Sequence, residues 1–563
     1  MNVLFVMPNG FYARFFASVI TSLSERGHKV VVAMEADADD AEDRGTTTAA
    51  NTVLRSYLNT EQFSHVNLVR LPRSQSSFPW GVTSRQVAAL WDYSRYLLPL
   101  HQHAPRCAQR AKSILLPPMR ILSILPTKHR VWAARGVARL CAWIQEILPP
   151  DRRILAYVRA QHPDIVLITP LIDLGSDQTN YVKACRRLRI PVGHCVASWD
   201  NLTNKGLIKA IPDRVFVWNV LQKTEAVTLH GVPENRIVVT GAQIFDHWFD
   251  KKPTRGREEF CAVAGLDPSK LILLYTASSV FICRNEVDFV IKWIRALRNS
   301  DDSRLREAGI LIRPHPKATK TLAQWDHPIL KQFENVVVYP RGAELSLARH
   351  AQDEYHNSLY HAAAVVGINT SAMIEASIVG RRSFTILLDE VRGGQEGMVH
   401  FQHLTRNGFL GVSRDFEEHI AQLGEELNGS KDTTSGFVSS FLRPYGIDMP
   451  ATPIFVAQVE KMEGLPVDGP SLCARLGWLQ RWLLLPLVAV VTLAGAIGAI
   501  SGKPSYRALR PLGSRTRHVI GRMLRGFGFR IQGPVQHTHD ARIAVSVDPQ
   551  TRAQNSAVES DAA

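Results

Sequence analysis

No two cysteines in this 563-residue chain are spaced as Cys-x-x-Cys; the seven present, at positions 107, 141, 185, 195, 261, 283 and 473, are scattered and odd in number. A disulfide scaffold and a thiolate metal site are therefore excluded, and the pattern suits a reducing compartment. The turn after the first apolar run is Pro8-Asn9-Gly10 and not Gly-x-Gly-x-x-Gly, so the dinucleotide-binding fingerprint is absent there. Residues 1–7 carry no basic stretch ahead of their apolar one and read as a strand, so no secretory leader is expected. Apolar residues are not scarce: at 45% they can bury enough surface to offset chain entropy, which excludes disorder of the whole chain.

Acidic residues are missing from one long stretch. Residues 475–530 hold ten Lys/Arg and no Asp or Glu, and residues 106–153 hold ten Lys/Arg against only Glu146 and Asp151. These two segments carry +10 and +8 of a net +15, which leaves the remainder at −3. A nucleic-acid binder would place its basic residues on the folded domain, among aromatics that stack on bases, so no nucleic-acid partner is expected. Here one basic block adjoins residues 482–500, nineteen without a charge and about the length that crosses a hydrocarbon core. Pro486 and the glycines of that run are better tolerated in lipid than in water. The partner expected is anionic membrane lipid, and the location the cytoplasmic face of the membrane, held through 482–530. Both a span and a re-entrant or in-plane segment stay open. From Gln536 the chain is polar and expected to be disordered.

Between these limits short apolar runs alternate with helical patterns, the signature of parallel α/β domains. Strands are predicted at 3–7, 29–33, 164–169, 191–197, 214–218 and 236–240, and again at 271–277, 309–313, 335–339, 364–367 and 383–387. The division this predicts is a first domain over 1–250, interrupted by a basic helical insertion at about 74–153, and a second over 251–464. An apolar segment with its basic flank follows at 465–535, and a tail at 536–563. The polar stretch 245–257 suits a linker. The insertion reads either as a solvated lobe with a snorkelling basic face or as a docking surface for membrane or acceptor.

Ligands of doubly wound sheets sit outside the carboxyl ends of the strands, so the chemistry is sought there. After 192–197 comes Ala-Ser-Trp-Asp-Asn-Leu-Thr-Asn-Lys-Gly (197–206), where Asp200 is either a general base or sugar-hydroxyl acceptor, or an Asx-turn cap. Ser278 and Ser279, after 271–277, are small enough to let a phosphate approach backbone N–H groups. Arg313-Pro314-His315-Pro316-Lys317 puts a guanidinium and an imidazole on a proline-stiffened loop, suited to a diphosphate. Asn369, Thr370 and Ser371 open a helix after 364–367, with Glu375 four positions beyond Ser371 on the same face, placed to accept ribose hydroxyls. Plain helix capping is the competing reading.

Leu-x-x-Arg-Gly-His-x-Val (23–30), Arg-Pro-His-Pro (313–316) and Asn-Thr-Ser…Glu (369–375), in this order across two α/β halves, resemble the GT-B glycosyltransferases over about residues 1–464, nearest to bacterial cell-surface polysaccharide enzymes. The chain is also similar to the CDP-glycerol glycerophosphotransferases and the non-hydrolysing UDP-N-acetylglucosamine 2-epimerases. The resemblance implies two Rossmann-like domains facing a cleft, no obligatory metal and no cofactor beyond a nucleotide-sugar co-substrate. It places Arg313 and His315 at the diphosphate, Thr370 and Ser371 at the α-phosphate and Glu375 at the ribose. The acceptor, a glycan or lipid-linked sugar, would lie near Asn9, Gly10 and Asp200, with Asp200 and His315 as catalytic residues. The Glu-x7-Glu pair of many retaining enzymes is missing, since position 383 is Ser, and so is the epimerase Pro-Glu-Glu segment. The activity expected is glycosyl transfer. Polyol-phosphate transfer, UDP-sugar 2-epimerisation and a non-catalytic export subunit are the alternatives.

Overall fold

The computed structural model describes residues 1–34, 66–70, 80–101, 104–124, 126–315, 322–340, 349–405, 408–429 and 432–500. Pro316, Lys317, the basic flank 503–530 and the tail 536–563 lie outside them. Residues Met1–Ala494 form one compact unit; of a second, beginning at Gly495, only the helix end at Ile500 is described.

Two all-parallel sheets make up the first unit. The first contains β1 (Asn2–Met7), β2 (Lys29–Met34), β3 (Val66–Arg70), β4 (Ile165–Ile168), β5 (Val192–Cys195), β6 (Arg214–Val217) and β7 (Ile237–Val239), in the order β3-β2-β1-β4-β5-β6-β7. The second contains β8 (Ile272–Thr276), β9 (Gly309–Arg313), β10 (Val336–Val338), β11 (Ala364–Gly367), β12 (Ser383–Ile386) and β13 (Leu410–Ser413), in the order β10-β9-β8-β11-β12-β13. The central strands are runs of Val, Ile, Leu and Phe because both faces are covered by helices. Strand order reverses between β1 and β4 in one sheet and between β8 and β11 in the other, the switch points at which such sheets open a crevice. The strands predicted from sequence are all present to within about two residues. The two unpredicted ones, β3 and β13, are edge strands whose Asn, Arg, Gly and Ser break the apolar run.

Three segments differ from their expected roles. The helix Ala451–Glu460, in the stretch assigned to the second domain, returns to the first sheet: the Phe455 ring stacks 4.7 Å from Phe216 and 6.1 Å from Phe16. The stretch read as a linker receives it, because Asp246 accepts from the backbone N–H of Ala451 (3.0 Å) and Thr452 (2.6 Å) and pairs with Arg443 at 3.3 Å. The insertion is not merely a solvated lobe either. Its helix Trp80–Arg95 carries a fully buried Asp92 paired with Lys209 at 2.9 Å, and a buried Arg95 that donates to the carbonyls of Leu202, Thr203, Lys205 and Gly206. Buried charges persist only where they are paired in this way. The next helix, Pro105–Ser113, bridges the two domains, with Arg106 donating to the carbonyls of Phe281 and Ile282 and Arg110 to that of Asn204. Part of the basic block thus faces inward.

If the returning helix is part of the first core, Phe455→Ala should cost about 3–5 kcal/mol in denaturant unfolding, as for other large aromatic deletions. A loss below about 1 kcal/mol, the range of surface substitutions and minor repacking, would show that the helix is not seated there.

Candidate functional site

The first wall of the cleft is built at the β1/β4 switch point. Asn9 caps the short helix Gly10–Ala13 by accepting from Phe11 N at 3.0 Å, so its side chain serves the turn rather than the cleft. Tyr12 on that helix donates from its hydroxyl to Asp173 at 3.0 Å, which joins the loop after β1 to the loop after β4. Lys205 completes the cluster, 2.7 Å from Asp173 and 3.2 Å from the Tyr12 oxygen. Burial, reinforced by Asp173 and opposed by Lys205, pushes the Tyr12 phenol up to about 12. Burial works against the Lys205 charge but is outweighed by Asp173, Tyr12 and Asp200, so the amine is raised and stays charged. Asp200 sits at the N-terminus of the turn Asn201–Asn204 without capping it. Its carboxylate instead accepts from the side chain of Asn204 at 3.0 Å and, more weakly, from Asn201 at 3.4 Å. The plain-cap reading of Asp200 therefore fails; Asn201 does the local work, accepting from Ala197 N and Ser198 N at 3.2 Å each.

The second wall repeats the plan at the β8/β11 switch point. Ser278 is held by its backbone N–H, which donates to both oxygens of buried Glu286 at 3.0 and 2.9 Å. The Tyr275 hydroxyl donates to the same carboxylate at 2.8 Å. The Ser278 hydroxyl accepts from Asn369 N at 3.3 Å, linking the two switch-point loops. Ser279 is half-buried at the start of the turn that follows. Asn369 does not cap the next helix: its amide donates to Gly394 O at 2.8 Å and lies 3.3 Å from His400 Nε2. Ser371 at the cap position makes no side-chain cap bond and is exposed, and Thr370 Oγ1 accepts only a long 3.4 Å bond from Ala372 N. Simple capping thus engages Thr370 only weakly and Ser371 not at all. Arg313 donates to Ser358 Oγ at 2.8 Å, and its guanidinium lies 5.2 Å from the Tyr355 ring. The Tyr355 hydroxyl in turn donates to Glu375. His315 is half-buried at the end of the described loop.

The walls approach each other at several places, two of which involve candidate residues. Trp199 lies edge-on to His400 at 4.7 Å, bringing Asp200 of the first domain to His400 of the second. Burial would push Asp200 up, but His400, Lys205 and the Ser198 hydroxyl overcome it and hold the carboxyl below its usual range. Burial pushes His400 down to about 4 against the pull of Asp200, so near neutrality a carboxylate faces a neutral imidazole. At the other place Arg14 stands opposite Glu375. Burial brings Arg14 down to about 10 and raises Glu375 to about 7, each opposed by the other's charge, with the Tyr355 hydroxyl also opposing the rise of Glu375.

The predicted residues Ser278, Arg313, Thr370, Ser371 and Glu375 thus come from loops at the carboxyl ends of adjoining strands or the helix after them, and Asp200 faces this wall through His400. Tyr12, Arg14, Asp173, Lys205, Tyr355 and His400 were not singled out from sequence. Asp173 and Lys205 could have been, since both follow a buried strand, whereas nothing local marks Arg14, Tyr355 or His400. Among the described residues, no three His, Cys, Asp or Glu side chains are grouped as a metal site.

No family model and no curated protein matches the chain. It is similar to solved structures over most of its length. The UDP-GlcNAc 2-epimerase of Methanocaldococcus jannaschii is 12% identical, over 82% of this chain and 99% of that one, with a TM-score of 0.47. The Neisseria meningitidis UDP-GlcNAc 2-epimerase bound to UDP-GlcNAc is 14% identical over 82% and 100%, TM-score 0.47. A glycosyltransferase from Rickettsia africae is 10% identical over 82% and 98%, TM-score 0.46. At such identities and scores the fold assignment rests on the chain's own strand orders.

Glu286 gives the site a pH signature. Burial holds its carboxyl neutral up to about 7 in the folded chain, against an ordinary value of 4.5. Between those values the unfolded chain gives up the proton and the folded chain keeps it, so stability falls as pH rises through the window. Glu286→Gln should remove that part of the loss, its stability relative to wild type rising from pH 4.5 to 7 in denaturant titrations. A difference that does not change with pH would mean that Glu286 ionises normally.

With two doubly wound parallel sheets whose loops meet through contacts such as Trp199–His400 and Glu225–His403, the chain has the GT-B arrangement of two Rossmann-like domains facing a cleft.

Proposed function

We propose that the chain is a glycosyltransferase that moves a sugar from a nucleotide-sugar donor to a cell-surface glycan or lipid-linked acceptor. The observation that carries this reading is the contact of Trp199 with His400 across the two domains, which sets the Asp200 loop beside the hydroxyl-rich loop Asn369–Ser371 and within electrostatic reach of His400. In this reading the second domain holds the donor. Glu375 accepts a ribose hydroxyl on the oxygen that Tyr355 does not use. Arg313, His315 and the hydroxyls of Ser278, Ser279, Thr370 and Ser371 stabilise the charge on the departing diphosphate, which leaves with the electron pair of the anomeric C–O bond. The acceptor hydroxyl attacks that carbon from the side of the first domain and gives up its proton to Asp200. Asp200 is ionised but a weak base, and neutral His400 beside it can take the proton onward. Tyr12, Asp173 and Lys205 offer donors and acceptors for the hydroxyls of the acceptor sugar.

Epimerisation of a UDP-sugar is the second reading. The nearness of Asp200 and His400 favours it too, because removal and return of a proton also need an acceptor and a donor close together. It differs in needing no acceptor substrate.

A thermal-shift screen against UDP-, GDP-, CDP- and CMP-linked sugars tests the donor half, since a ligand that binds the native state raises its midpoint. At least one should stabilise the protein, and Glu375→Gln should weaken its binding by about 1–3 kcal/mol by calorimetry. Asp200→Asn should lower turnover about 100- to 10,000-fold with donor affinity kept. Stabilisation by a CDP-polyol alone would favour polyol-phosphate transfer, and conversion of the UDP-sugar without acceptor, followed by NMR, would favour epimerisation.

A further inference from the structure

Two apolar surfaces lie uncovered side by side, one on the insertion lobe and one on the C-terminal segment packed against it. On the helix Thr127–Ile147, Ala134, Cys141, Ile144 and Ile147 point inward. The outer stripe carries Trp132, 82% exposed, and Leu140, with exposed Arg135 and Arg139 between them. Residues 472–493 pack against the end of this helix: Arg481 Nε donates to Ile147 O at 2.9 Å, the Ser471 hydroxyl donates to Glu146 at 2.6 Å, and a Cβ at Gly477 would stand 2.6 Å from Ile147 O. Leu484 and Leu487 enter one cluster with Ile144, Ile147, Leu148 and Val87. Outward from the same segment stand Trp478 (60% exposed), Trp482 (67%) and Leu483 (74%).

The charge around these surfaces is predominantly positive. No Asp or Glu occurs in 472–493, and only Glu146 in the helix. The Arg481 guanidinium is depressed by burial and by neighbouring Arg187, and Arg475 and Arg189 converge on Gly469 at 3.3 and 3.6 Å from its Cβ position. Outward Trp and Leu beside arginines with no acidic partner among the described residues fit the boundary of an anionic bilayer, where rings and aliphatic chains enter the acyl edge and guanidiniums meet headgroups.

The segment Gly477–Ala494 is apolar and long enough to cross a membrane by length and composition. Yet Leu484, Val488 and Val491, spaced as one helix face, are buried against protein, and a span would have to give up that packing. A second copy fits less well than lipid, since a two-fold contact would press like charges together. We propose that the helix Thr127–Ile147 and residues 472–493 form a single docking face that lies in the plane of an anionic bilayer, with Trp132, Leu140, Trp478, Trp482 and Leu483 at the acyl edge. The proposal does not depend on the reaction catalysed.

Flotation of the full chain with phosphatidylcholine vesicles, with and without phosphatidylglycerol, tests this. Binding should require the anionic lipid. Trp132→Ser with Leu140→Ser should weaken it about tenfold, given the area these side chains bury, with the thermal midpoint unchanged. Arg135→Glu with Arg139→Glu should reduce the preference for anionic lipid. Wild-type binding by the Trp132/Leu140 variant would mean that 472–500 alone holds the membrane, and would overturn the shared face. So would equal binding to neutral vesicles, or a lipid-free dimer that the same variant dissociates.

Discussion

The buried guanidinium of Arg95 is the constraint on which the first wall of the cleft depends. It gathers the carbonyls of Leu202, Thr203, Lys205 and Gly206, and its Nε donates to His101, an imidazole that burial and Arg95 itself keep neutral and able to accept. Four carbonyls turned toward one cation leave the loop little freedom. Asp92, one turn earlier on the same helix, takes Leu207 N at 2.8 Å and would collide with any side chain at position 206. The loop that carries Asp200 and Lys205 is therefore shaped by a helix of the insertion, about a hundred residues away in sequence. An element that looks appended to the first domain is what gives that domain a defined binding surface.

From that fixed loop the electrostatics follow. Lys205 stays charged because Asp173, Tyr12 and Asp200 surround it, and its charge helps to keep Asp200 ionised. The second wall is uncharged where it meets this pair, because His400 has lost its proton to burial. The result is a negative group and a neutral base on opposite walls, with Arg14 opposite Glu375 and Arg313 beside Tyr355, whose hydroxyl donates to Glu375. An anionic ligand with hydroxyl groups, such as a nucleotide sugar, answers both halves of that pattern.

Much of this was legible in the sequence where one strand and the loop after it carried the signal. Runs such as Val3-Leu4-Phe5-Val6 announce buried parallel strands, and Arg313-Pro314-His315 or Asn369-Thr370-Ser371 stand directly at their ends. What escaped was set by partners distant in sequence. Arg14 stacks on Phe11 of its own helical turn, and nothing local marks that Glu375 arrives opposite it from the other domain. His400 follows no strand directly and meets Trp199 and Asn369 through the fold. The capping reading of Asn369 went wrong for the same reason, because the Gly394 carbonyl, 25 positions away, takes its amide instead. The return of Phe455 to the first core was likewise invisible to local pattern, since an apolar helix does not say which sheet it will cover.

The central claim is that loops from the two switch points make one nucleotide-sugar site, with the nucleotide on the second domain and the reacting sugar between Asp200 and His400. A crystal structure of the protein soaked with the nucleotide sugar that most raises its melting midpoint tests this most directly. The account predicts diphosphate density against Arg313 and the hydroxyls of Thr370 and Ser371, ribose at Glu375, and the sugar ring within hydrogen-bond reach of Asp200. A nucleotide bound on the first domain, or density that leaves Arg313 and Glu375 untouched, would contradict it.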